Sequence, residues 1–192
     1  MAEKKKRKGR RAYLDDFQAG VNGQYIYTGS MYRYEGTVPY QRAMRRVSLL
    51  TAAMCAALVC AGAVPAPSML GFGNFYVIVP FLVEMVGVAL AIWSAAKLIY
   101  GGEELRAYVH AATVKKLPDR LSMSLFFAGA SIVANIVYLA LKGFGGKVIA
   151  SLLVIVFHAL VILTAWLLKR ELSTHRWTTG GEEDLSPSDP ES

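Results

Sequence analysis

Four long apolar runs organise the chain, at residues 47–64, 76–100, 121–141 and 148–168, with polar stretches between them. Each is close to the ~20 residues that an α-helix needs to cross the ~30 Å hydrocarbon core of a bilayer. Arg42, Arg45 and Arg46 precede the first run, and Pro65 and Pro67 follow it, where proline stops a helix. The 46 residues ahead of that run are too many for the basic leader of a signal peptide, and three further runs follow, so it reads as a retained span. Pro80, Glu84 and Lys97 interrupt the second run, and Lys169 and Arg170 close the fourth. The expected fold is an all-α integral membrane protein, a four-transmembrane-helix bundle. Its short connections would make consecutive helices antiparallel neighbours.

The polar stretches carry weaker patterns. Tyr25 and Tyr27 alternate, as do Tyr32 and Tyr34, with Thr28, Gly29 and Ser30 between them. That is the pattern of a small β-hairpin, which on its own is marginal in water. Leu105, Tyr108, Val109 and Ala112 share a helical face, so residues 103–117 read as an amphipathic helix along the interface, ended by Pro118. The loop 66–75 is uncharged and is expected to pack over the end of the bundle. The domain organisation read this way is a basic disordered tail over 1–23, a tyrosine-rich segment over 24–46, the membrane domain over 47–168 and an acidic disordered tail over 169–192.

Charge adds orientation. The segments before the first span, between the second and third, and after the fourth hold 18 Lys or Arg, against 2 in the other two loops. Positive charge stays on the cytoplasmic side, which predicts both termini inside, an N-in/C-in topology, in a cell membrane. Lys4, Lys5, Lys6, Arg7, Lys8, Arg10 and Arg11 form a basic cluster. Beside four membrane spans such a cluster is expected to touch anionic lipid at the cytoplasmic face and not nucleic acid. Cys55 and Cys60 both lie in the first run, five positions apart, and read as packing residues.

Composition excludes several kinds of chemistry. Hydrophobic residues are 54% of the chain and charged residues 18%. The sequence holds no His-Glu-x-x-His, Gly-x-Ser-x-Gly, phosphate loop or Cys-x-x-Cys, so no cofactor or metal is expected, and the ground for an enzyme is weak.

Polar residues inside the spans are the candidate site. Glu84 lies ~12 Å below the outer end of the second span, His158 ~15 Å below that of the fourth, and Asn135 and Ser131 ~9 Å and ~15 Å below that of the third. Cys55 sits at a similar level. An intramembrane carboxylate is expensive and normally turns inward. Glu84, Gly87, Ala91, Ser94 and Ala95 form one stripe, Ala128, Ser131, Asn135 and Tyr138 a second, and Ser151, His158 and Ala165 a third. Small and polar stripes let membrane helices approach and hydrogen-bond, so these should face inward.

Two functions fit. One is a non-catalytic accessory, scaffold or regulatory membrane protein with a protein partner or a homo-oligomeric state. The other is a small proton- or cation-coupled transporter or channel subunit that uses Glu84 and His158. Set against the second is a purely structural role for Glu84 as a clamp between helices.

Overall fold

The structure, a computed structural model, describes residues 16–19, 24–71 and 73–180. It is mostly helical, at 72%. Four helices are long and apolar enough to cross a membrane: α1 (Tyr40–Ala63), α3 (Phe75–Tyr100), α5 (Leu117–Lys142) and α6 (Val148–Ser173). The protein is therefore a multi-pass membrane protein. Two short helices, α2 (Pro67–Leu70) and α4 (Ala107–Ala112), lie in the connections.

The long helices exceed the apolar runs at several ends. α1 begins at Tyr40, directly after Pro39, which has φ −52°. α5 begins at Leu117 with Pro118 in its first turn. Proline fits there because the first backbone N–H groups of a helix have no partner to lose. α6 continues to Ser173. α5 stops at Gly143, whose φ of 71° only glycine adopts freely and whose N–H caps the Leu139 carbonyl.

The helices close a ring, with α1 against α3 and α6, and α5 against α3 and α6. Its interior holds Val47, Met54, Val88, Ala91, Ala95, Leu121, Ala128, Val161, Ala165 and Leu168. All the members of the three small and polar stripes are buried. Gly87 sets how near α3 comes to α5: a Cβ there would lie 3.0 Å from Ser124 Oγ. The outside of the ring is apolar too, with Val79, Leu82, Trp93, Phe126, Val133, Leu152 and Leu163 exposed. An apolar belt of that extent is what a lipid solvent tolerates and water does not.

One end of the ring, the cap end, carries small sheets. β1 (Phe17–Ala19) pairs antiparallel with β2 (Tyr25–Tyr27). β3 (Met31–Tyr34) is the middle strand of a second sheet, between β4 (Glu104–Arg106) and β5 (Trp177–Gly180). The expected hairpin between 25–27 and 31–34 is thus not formed. Both segments are strands, but each pairs elsewhere. Tyr32 and Tyr34 project to one face together with Leu105 and Trp177, and that face packs on the ring. Burying it on the membrane domain stabilises the arrangement more than a lone hairpin in water could be stabilised.

Three further expectations change with this sheet. The amphipathic helix over 103–117 is instead a strand, the six-residue α4 and a turn, and Leu105 is buried through strand pairing. The C-terminal segment is ordered as helix to Ser173 and as strand over Trp177–Gly180, where a disordered tail from 169 was expected. The N-terminal segment contributes β1, within the expected tail 1–23. The basic cluster Lys4, Lys5, Lys6, Arg7, Lys8, Arg10 and Arg11, and the acidic residues after 180, lie outside the described residues.

Candidate functional site

Glu84 sits in the middle of α3 on the face that carries Gly87, Val88 and Ala91, and it is fully buried. Opposite, α6 presents His158 on the face of Ser151, Val154 and Val161, also fully buried. His158 Nδ1 lies 3.1 Å from Glu84 Oε1 and 2.9 Å from Oε2. Ser131 on α5 donates its hydroxyl to Glu84 Oε2 at 2.9 Å. Three helices therefore meet at one carboxylate. Phe81, one turn along α3, packs edge-on to the imidazole with ring centroids 5.8 Å apart.

From Ser131 a ladder of hydrogen bonds runs to the end of the ring opposite the cap. Asn135 donates its Nδ2 to the Ser131 carbonyl at 2.9 Å. Ser68 in α2 donates its hydroxyl to Asn135 Oδ1 at 2.7 Å. Asn74, just before α3, donates its Nδ2 to the Ser68 carbonyl at 3.2 Å. Lys142, at the end of α5, donates its ammonium to Asn74 Oδ1 at 3.3 Å.

The direction of every rung is fixed by chemistry. A backbone carbonyl only accepts, so both Asn amides turn their NH₂ toward it and their oxygen the other way. The oxygen of Asn135 then requires Ser68 to donate, and the oxygen of Asn74 meets an ammonium that has nothing but donors. In all five bonds the donor is the partner on the Lys142 side and the acceptor the one on the Glu84 side, and the row begins at a cation.

The imidazole is only half satisfied. His158 Nε2 is buried and has no hydrogen-bond partner among the described residues. If Nδ1 carries a proton toward the carboxylate and Nε2 is bare, the site has one net negative charge and an orphan acceptor. If Nε2 is also protonated, the charges cancel and an orphan donor remains. A buried orphan costs ~1–3 kcal/mol in either state. Neither state satisfies every polar atom of the pair.

Of the sequence-predicted residues, Glu84, His158, Ser131 and Asn135 are brought together. Cys55 is not: it lines a surface groove with Ile92, Ala96 and Tyr100. Ser68, Asn74 and Lys142 belong to the ladder and were missed, because they lie in or beside the connections at one end of the ring, whose path no periodicity describes. The one available signal was the pair of polar side chains Ser68 and Asn74 in a loop otherwise free of charge. Among the described residues no three His, Cys, Asp or Glu side chains are grouped to hold a metal ion.

At the cap end the aromatic residues form a second cluster. Tyr32 stacks on His110 at 4.0 Å with rings 3° from parallel. Tyr34 meets Tyr40, His175 and Trp177 edge-on at 5.4–5.6 Å. Arg106 lies over Phe17 and Tyr27, 5.8 Å and 5.3 Å from their ring centres. This cluster ties the N-terminal segment, the middle loop and the C-terminal segment into one unit. No protein-family model, curated protein or solved structure matches this chain.

Proposed function

We propose that this is a four-helix membrane bundle whose Glu84–His158 pair binds and releases a proton, making it a small proton-coupled transporter or channel subunit. The observation that carries the reading is the buried carboxylate–imidazole contact, whose Nε2 has no hydrogen-bond partner among the described residues. One carboxylate and one imidazole suit a proton better than a metal ion, which needs more ligands. Loading Nε2 converts a net-negative centre into a neutral ion pair. That change in charge alters how strongly α3, α5 and α6 hold together, which gives proton binding a mechanical consequence. The ladder from Lys142 joins this centre to the end opposite the cap. The 18-to-2 distribution of Lys and Arg supports the cap end being cytoplasmic, both termini with it, in a cell membrane.

The test is proton uptake by proteoliposomes with a trapped pH dye after external acidification. Wild type is expected to exceed empty liposomes, and Glu84→Gln and His158→Gln to fall to the empty-liposome rate. Equal uptake by all three would overturn the reading.

The cap favours a second one, an accessory or scaffold protein without a catalytic step. Its sheet exposes Arg33, Glu104, Arg106 and Thr178, and among the described residues no strand pairs with the outer edges of β4 and β5, where a partner's strand could add. Affinity purification from native membranes with native mass determination tests it. A partner at fixed stoichiometry supports it, and a homo-oligomer alone returns the weight to the proton site.

A further inference from the structure

A second site lies on the lipid-facing side of α3, away from Glu84 and independent of it. Near the cap end, α3 and α4 enclose an open groove of about 500 Å³, lined by Trp93, Ala96, Lys97 and Tyr100 on one side and Tyr108 and Val109 on the other. A volume of that order suits a small-molecule or lipid headgroup. Trp93 is 61% exposed and Tyr100 90% exposed, so the groove opens outward.

Lys97 is the one cation in its wall. Three residues from the end of its span, it is expected to reach out to water at the cap. Its side chain is exposed, and its ammonium lies 4.9 Å from the centre of the Trp93 ring, one turn earlier on α3. No carboxylate among the described residues pairs with it. The ring quadrupole attracts the cation, but it is no counter-ion, and a charge at the edge of a membrane span is best satisfied by an opposite one. An anion at the ammonium would supply it.

We propose that this groove binds the headgroup of an anionic phospholipid, with the Lys97 ammonium on the phosphate, Trp93 against the glycerol and upper acyl carbons, and Tyr100 and Tyr108 at the headgroup level. Charge complementarity selects the ligand. Lys97 is the groove's one charged side chain and meets no carboxylate among the described residues, the groove opens on the outer side of the ring, and the abundant anion at the membrane interface is a lipid phosphate. Tyrosine and tryptophan at this level suit the boundary between acyl chains and headgroups.

The full chain is embedded in nanodiscs of phosphatidylcholine with a minor fraction of phosphatidylglycerol, released into detergent, and examined by native mass spectrometry for retained lipid. Phosphatidylglycerol should be retained over phosphatidylcholine. A charge-assisted phosphate contact implies that Lys97→Gln lowers that retention by roughly tenfold or more, and that Lys97→Arg restores it. Replacing Lys4, Lys5, Lys6, Arg7, Lys8, Arg10 and Arg11 together by Gln should leave the retained lipid in place. The proposal is overturned if Lys97→Gln retains phosphatidylglycerol like wild type, if both lipids are retained equally, or if only the N-terminal replacement abolishes retention.

Discussion

The hydroxyl of Ser68 donates to Asn135 Oδ1 at 2.7 Å, and through this one contact a surface connection is bonded to the buried centre of the membrane domain. Both residues are at least 98% buried. Ser68→Ala leaves an amide oxygen orphaned at that depth, which costs ~1–3 kcal/mol. Thermal unfolding in detergent should show the loss. Ser68→Ala combined with Asn135→Leu should destabilise less than the sum of the two single changes, because the second removes the orphan made by the first. Additive losses would mean that the contact carries no energy.

Glu84 and His158 follow the same logic with larger stakes. Removing one partner of a buried charged pair costs ~3–5 kcal/mol, whereas replacing both by apolar residues of similar size is often near neutral. His158→Leu alone should therefore lower the melting temperature sharply, and Glu84→Met with His158→Leu should recover most of it. The double variant should at the same time be silent in proton uptake. Stability is then separated from function, since a clamp would be replaceable without any loss of activity.

Gly87 is a contact made by the absence of a side chain. A Cβ at this position meets Ser124 Oγ at 3.0 Å and the Ser124 backbone nitrogen at 3.4 Å. Gly87→Ala requires a shift of a few tenths of an ångström in a hydroxyl that can rotate, and a small loss is expected. Gly87→Leu must push α5 away from α3, at the ~1–3 kcal/mol typical of overpacking. It should also weaken the Ser131–Glu84 bond, because both lie on the same pair of helices. Unfolding measurements that gave Gly87→Leu the stability of wild type would contradict the close approach.

The cap carries its own pH dependence. Burial pushes the His175 imidazole below its usual value of 6.5, and Glu171 opposes the shift. Tyr34 of β3 faces it edge-on, and Glu171 of α6 is shared with Arg46 of α1 at 3.4 Å. For a base whose folded value is lowered, the unfolded segment binds the extra proton first. Cap stability is then full above pH 6.5 and falls as the pH drops through the lower folded value. Hydrogen-exchange protection of residues 31–34 and 177–180 should decline on acidification from about pH 7.5 to about pH 5. His175→Phe keeps an aromatic ring against Tyr34 and should flatten that decline. Unchanged pH dependence in this variant would place its origin elsewhere.

Much of the membrane domain was legible in the residues themselves. Solvation in lipid forces every span to be a long apolar helix, so four runs could only become four helices. Charge and polarity are so costly there that Glu84, His158, Ser131 and Asn135 had to turn inward, and the three small and polar stripes marked the faces that did. Depth at 1.5 Å per residue put Glu84, His158 and Ser131 near one level.

Other features lay beyond that reading. The alternating tyrosines signalled strands but not their partners. Strand pairing joins residues far apart in the chain, here Tyr32 with Leu105 and Thr179, and only the packed helices decide which ends come near. Residues 103–117 carried a helical period that tertiary pairing overrode for Leu105. Ser68, Asn74 and Lys142 entered the ladder because α2 folds back over the ends of α3 and α5, a path set by loop geometry.

Four helices long and apolar enough to cross a membrane, and the faces they turn inward, follow from the residues alone, because lipid penalises each exposed polar group one residue at a time. Only the packed molecule shows that Glu84 meets His158 through Nδ1 while Nε2 finds no partner among the described residues, and that five hydrogen bonds link Lys142 to the carboxylate by way of Asn74, Ser68, Asn135 and Ser131. Those are questions of atomic distance and orientation, and they are settled by where whole helices pack against one another.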